Sequence, residues 1–199
     1  MNQYAKKEKR EASPTGIYHW IVRGMNRKKL FYVHEDFQKF RELLLEYKAL
    51  HKIEIYHYCF MSNHVHLLIW AKKIDHVSSF SHFVQRRYAY YYCEKYKRTG
   101  SAFQRRYRSI PIDREEYLLE CGRYIERNPI KAKIVKRADE YPYSSFKYYA
   151  FGEEDDLISE SPAFEALSEN IKQRREIYDD YVHKLRIQEE MFERGLLTA

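Results

Sequence analysis

The chain has little glycine or proline, 6 and 5 in 199 residues. Few residues of the kind that keep a linker disordered leave no sign of a long unstructured segment. Its three cysteines, Cys59, Cys93 and Cys121, fall at no paired spacing, so neither a disulfide framework nor a cysteine-built zinc cluster is expected. No apolar run approaches the ~20 residues of a membrane span. The opening MNQYAKKEKREASPTG is charged and has no apolar stretch of the signal-peptide kind, so a cytoplasmic protein is the expectation. Acid is also in short supply, 29 Asp and Glu against 36 Lys and Arg, for a net charge of +7. What is abundant is hydrophobic and aromatic: 44% hydrophobic residues, with 20 Tyr and 11 Phe, enough for a sizeable core.

The positive charge is concentrated. Between Gln85 and Arg108 lie eight Lys or Arg against one acid, Glu94, with seven aromatics among them. Cations interleaved with stacking surfaces suit single-stranded nucleic acid, which presents phosphates and bases together. A solvated helix face with core tyrosines would show the same composition. The acidic run GEEDD (Gly152–Asp156) would repel phosphate and is predicted to be a loop.

Alternation and β-forming residues predict a strand in TGIYHWIVRGMN (residues 15–26). Phe37, Phe40, Leu43, Leu44 and Tyr47, at three- and four-residue steps, predict a helix. IEIYHYCF and HVHLLIWA follow as a hairpin about Met61–Ser62–Asn63. A second long helix is expected from Ile74 to about Arg98, then a short basic strand in QRRYRSIPI. The order βαββαβ predicts an α+β, ferredoxin-like fold: an antiparallel sheet with its helices on one face, the other face open for a ligand. Asp113 and Glu116 resemble a capping box opening a helix with Tyr117, Leu118, Cys121, Tyr124 and Ile125, ended by Pro129. From about Pro162 to Arg194 a long, charged helical pattern follows.

In MSNHVHLLIWA (residues 61–71), strand geometry sends His64, His66, Leu68 and Trp70 to one face. Two imidazoles on a half-apolar strand need partners, and a metal would supply one. Tyr124 and Asn128, four apart, project from neighbouring positions on a helix. A tyrosine hydroxyl can attack a phosphodiester where a metal polarises the phosphate, and the Asn128 amide oxygen could complete the metal shell. Spacing alone leaves the bland readings open: Tyr124 as a packing tyrosine, Asn128–Pro129 as a helix start.

MSNHVHLLI, then YLLECGRYIERNPIKAKIV, then YPYSSFKYYAFG, in that order, resemble the REP-associated tyrosine transposases, members of the single-tyrosine branch of the HUH nucleases. The likeness runs from YHWIVRGMNRKKLF near residue 18 to about residue 152. It implies a transposase domain over residues 1–150 and leaves 151–199 as a charged C-terminal helical extension of open role. It implies a metal, Mg²⁺ or Mn²⁺, on His64, His66 and Asn128, and Tyr124 as the nucleophile that forms a 5′-phosphotyrosine on single-stranded DNA. Two imidazoles and an amide suit Mn²⁺, Zn²⁺ or Ni²⁺ better than Mg²⁺, which prefers oxygen ligands and water, so Mn²⁺ is expected to work at least as well as Mg²⁺.

The resemblance further implies imperfect DNA hairpins as partners, with Arg86, Arg87, Arg105, Arg106 and Arg108 as candidate contacts. Arg106 and Arg108 share a strand face opposite Tyr107, so only one set can meet the DNA. His19, on the neighbouring first strand, is expected to support the histidine pair or to pack beside it. A homodimer sharing its sites is left open. The competing readings are a non-catalytic hairpin-binding protein of the same fold and a metal-dependent hydrolase in which water attacks.

Overall fold

A computed structural model describes residues 11–104 and 106–184. Four strands and two long helices follow one another as β1 (Ile17–Arg23), α1 (His34–His51), β2 (Ile53–Met61), β3 (His64–Ala71), α2 (Ile74–Lys95) and β4 (Arg108–Ile112). The strands form one sheet in the order β2-β3-β1-β4, antiparallel throughout. This is the ferredoxin-like arrangement anticipated from the βαββαβ order.

Alternation divides the sheet residues between two cores. Tyr18, Trp20, Val22, Val65, Leu67 and Ile69 face α1 and α2, where Phe40, Leu43, Leu44 and Tyr47 of α1 are buried. Asp36 ties this layer together. Its carboxylate accepts the N–H groups of Tyr32 at 2.7 Å and Val33 at 3.2 Å at the start of α1. From α2 and its C-cap it receives Lys95 Nζ, Tyr91 OH and Tyr96 OH. The acidic run at 152–156 is a loop, as predicted, and its charge is met: Arg41 of α1 bonds Asp155 and Asp156.

The opposite sheet face is not left bare. After a 3₁₀ turn (Glu115–Tyr117) come α3 (Leu118–Glu126) and α4 (Asn128–Lys131). Leu118, Cys121 and Ile125 seat α3 against Tyr56, Cys59 and Leu68, over the β2–β3 half of the face. The expected capping box is not used. The 3₁₀ turn starts at Arg114 without a side-chain cap, so α3 begins later than the motif suggests.

α5 (Phe146–Phe151), α6 (Pro162–Glu165) and α7 (Ile171–His183) complete the described chain. The helical pattern of the tail is broken in two, with Asn170 capping α7 through Lys172 and Gln173 N–H. Tyr178 and Val182 of α7 pack on Phe146, Tyr149 and Phe164, a small core that joins the extension to residues before 150. The part of the pattern beyond Lys184 lies outside the described residues.

Candidate nucleic-acid cleavage site

The open half of the sheet face carries the site. Strand pairing sets Ile21 beside His66 and Arg23 beside His64, and Ile21 beside Arg108 on the other edge. His19 lies on the same face two residues before Ile21. The flank of α3 contributes Tyr124 and the first residue of α4 contributes Asn128. Tyr124, Asn128, His64 and His66 line one cavity of about 330 Å³, all from a single chain. Tyr124 stands edge-on to both rings, 5.8 Å from His19 and 6.1 Å from His66 between centroids.

The imidazoles have the protonation state a metal needs. Burial, reinforced by the Arg108 guanidinium, pushes His19 down to about 3. Burial and Arg23 push His64 down to about 4. His66 lies well below its ordinary range, through burial first and then the charges of His19, His64, Arg23 and Lys131. All three are therefore neutral at pH 7, and a neutral imidazole is the ligating form.

Their second nitrogens are already engaged. His64 Nδ1 lies 2.6 Å from Asn63 Oδ1, which can only accept from it and so leaves Nε2 as a lone pair. His66 Nδ1 lies 2.8 Å from His19 Nε2. When His66 is the donor, its Nε2 is likewise a lone pair and His19 carries its proton on Nδ1, a buried atom without a hydrogen-bond partner.

Asn128 Nδ2 donates to Tyr124 O at 2.9 Å and Ile125 O at 3.1 Å. This closes the end of α3 and leaves Oδ1 as the atom the side chain can offer to a ligand. Among the described residues no three His, Cys, Asp or Glu side chains are grouped to hold a metal. What His64, His66 and Asn128 can offer a cation is two imidazoles and an amide oxygen, a set that suits Mn²⁺ better than Mg²⁺, which prefers oxygen ligands.

Around these groups the charge is of one sign. Arg23, Arg106 and Arg108 line the cavity, with no acidic side chain among the described residues that do so, and Lys131 Nζ sits 4.4 Å from the centre of the Tyr124 ring. The β1–β4 pairing resolves the choice between the faces of the basic strand. Tyr107 is buried, stacked 6.3 Å from Trp20, which turns Arg106 and Arg108 to the cavity. A second groove of about 570 Å³ adjoins the first and shares Gln104 and Arg106 with it; Arg86 lies along its α2 wall. Arg87 lines neither and reaches instead towards Tyr47 of α1. Arg105 lies outside the described residues.

Sequence reasoning missed Arg23 and Lys131. Alternation from His19 would have put Arg23 on the site face. Lys131 gave no signal, because its place depends on how the chain turns at Asn128–Pro129.

The sequence model of the family described as "Transposase IS200 like" matches residues 13–128. No curated protein matches the chain. Among solved structures, a REP-associated tyrosine transposase bound to a REP hairpin is similar over 77% of this chain and 91% of its own, at 20% identity and a TM-score of 0.62. A second, described as a transposase from Deinococcus radiodurans R1, covers 61% of this chain and 97% of its own at 20% identity, with a TM-score of 0.42. From its family match over more than half its length, and with the fold of a REP-associated tyrosine transposase, the chain belongs to the IS200-like transposases, a family of DNA-processing enzymes.

Proposed function

We propose that the chain nicks and rejoins single-stranded DNA at palindromic hairpins, with Tyr124 as the nucleophile. One observation carries this reading: Tyr124, the His64–His66 pair and Asn128, from three separate elements, line one cavity walled by arginine. The hairpin as partner follows from likeness to a transposase whose structure holds a REP hairpin.

In the proposed reaction the Tyr124 oxygen attacks a phosphorus that the cavity arginines hold in place. An O–P bond forms to tyrosine as the bond to the 3′ oxygen breaks. The phenolic proton leaves to solvent and the departing 3′ oxygen takes one up. The DNA keeps a free 3′-hydroxyl, and its 5′ phosphate stays on Tyr124. One phosphodiester has replaced another, so attack by an incoming 3′-hydroxyl can reverse the step and rejoin the strands. Lys131 and Arg108 supply positive charge where negative charge develops. A divalent cation, Mn²⁺ or Mg²⁺, bound through His64, His66 and Asn128 would polarise a phosphate oxygen.

The test mixes the protein and Mn²⁺ with labelled single-stranded oligonucleotides carrying the palindromes that flank the gene, followed by denaturing electrophoresis. The expected result is a covalent adduct in the wild type and in Tyr117→Phe, and none in Tyr124→Phe. Cleavage without an adduct would show that water is the nucleophile. Binding without cleavage would leave a hairpin-binding protein.

A further inference from the structure

α3 carries Tyr124, and its other sides are held by contacts outside the cavity. At about 100° per residue, Gly122 and Glu126 project from the flank opposite Tyr124. There they meet His57, a fully buried histidine of β2. Gly122 lies so close that a Cβ would fall 2.7 Å from His57 Nε2. Glu126, also fully buried, accepts from His57 Nδ1 at 3.0 Å, Ser145 Oγ at 2.6 Å and Tyr178 OH at 2.7 Å.

His57 reaches this position through an irregularity in β2, whose register with β3 slips between Ile55 and His57. Tyr56 and His57 consequently both face α3, where regular alternation would hide one of them. The outer side of α3 is gripped by α7. Arg123 Nε donates to Tyr181 O at 2.7 Å and its Nη2 to Lys184 O. Arg127 Nη1 donates to Val182 O at 2.5 Å. These carbonyls belong to the last turn of α7 and the residue after it, where helices leave acceptors without internal partners.

Ile125 packs in the core against β2 and β3, and four of the other five residues from Gly122 to Arg127 thus contact something other than the cavity. All four make contacts that a generic apolar packing would not require, and two of them consume arginines next to a site that handles phosphate.

We propose that α7 and the His57–Glu126 contact are the device that holds Tyr124 in line with the scissile phosphate, with Glu126 and Tyr178 as positioning residues. This gives α7 of the C-terminal extension a role in catalysis that requires no contact with DNA. It rests on the reading of Tyr124 as the nucleophile. Misplacing a reacting group by about 1 Å costs up to about 100-fold in rate, so a small rotation of α3 acts on the chemical step and leaves DNA binding untouched.

The experiment measures two quantities on the full chain, well below its unfolding temperature. One is the single-turnover rate of adduct formation with a saturating palindromic oligonucleotide and Mn²⁺. The other is the affinity of each protein for the same oligonucleotide. Tyr178→Phe removes one hydroxyl, and a loss of about tenfold in rate is expected with affinity changed less than about twofold. Glu126→Ala is expected to lose about 100-fold, with Glu126→Gln in between because it keeps the shape and part of the bonding.

Leu43→Ala, in the α1 core on the far side of the sheet, is the control for lost stability. It is expected to unfold at lower temperature while keeping its adduct rate. The inference is overturned if Tyr178→Phe and both Glu126 variants form adduct at the wild-type rate. It is equally overturned if Leu43→Ala slows the reaction as much at a matched loss of stability, or if the loss appears in affinity. A wild-type protein that forms no adduct would overturn the nucleophile reading itself, a distinguishable result.

Discussion

Replacing Gly122 with alanine puts two magnitudes in opposition. Alanine is favoured over glycine inside a helix by about 1 kcal/mol. Against this, the added methyl would lie 2.7, 2.8 and 2.9 Å from three atoms of the His57 ring. The ring has nowhere to go, since it is bonded to Glu126 and stacked 4.4 Å from Tyr149. α3 must therefore lift by roughly 0.7 Å to reach ordinary van der Waals separation. Overpacking of this kind costs about 1–3 kcal/mol, so the variant should be less stable by about 0–2 kcal/mol. The larger effect is on chemistry, because Tyr124 moves with the helix: about 10- to 100-fold in adduct formation. Urea unfolding and single-turnover adduct formation measure the two effects separately. A variant stabilised by about 1 kcal/mol with an undiminished rate would refute the tight seating of α3 on His57.

Three further outcomes are expected. Burial alone would raise the Asp36 carboxyl, but hydrogen bonds from Lys95, Tyr96, Tyr32 N–H and Tyr91 outweigh it and hold it near 2 against an ordinary 3.8. A depressed carboxyl stabilises above the unfolded value and loses that effect as pH falls through the folded one. The difference in unfolding free energy between wild type and Asp36→Asn should therefore shrink by about 1–2 kcal/mol between pH 5 and pH 2; a constant difference would exclude Asp36 as its source. His19→Ala, which removes the partner of His66 Nδ1, should weaken Mn²⁺ binding by about 10- to 100-fold in calorimetry, and unchanged affinity would detach His19 from the metal site. Arg108→Ala should weaken oligonucleotide binding and flatten its salt dependence by about one unit of slope, whereas Arg87→Ala, directed at Tyr47, should do neither.

Much of this protein was legible in its sequence. The periodicities of two and 3.6 carried the βαββαβ order, and alternation alone put His64 and His66 on one face. The hairpin at Ser62–Asn63 and the breaking of the helix before Pro129 are local matters of backbone geometry, and local geometry is what sequence encodes most directly. What separates Arg106 and Arg108 from Tyr107 is register, which depends on a partner strand; only the pairing of β4 with β1 turned the arginines to the cavity. The same limit hid His57. Its side chain faces α3 because β2 slips register against β3, and such a slip leaves no mark in a row of strand-forming residues. Nothing in the sequence distinguishes Glu126 from other polar residues on a helix, or Tyr178 among the 20 tyrosines. Their meeting point was decided by the packing of α7 across α3, between segments some fifty residues apart, because long-range contact is a property of the folded chain and of no stretch within it.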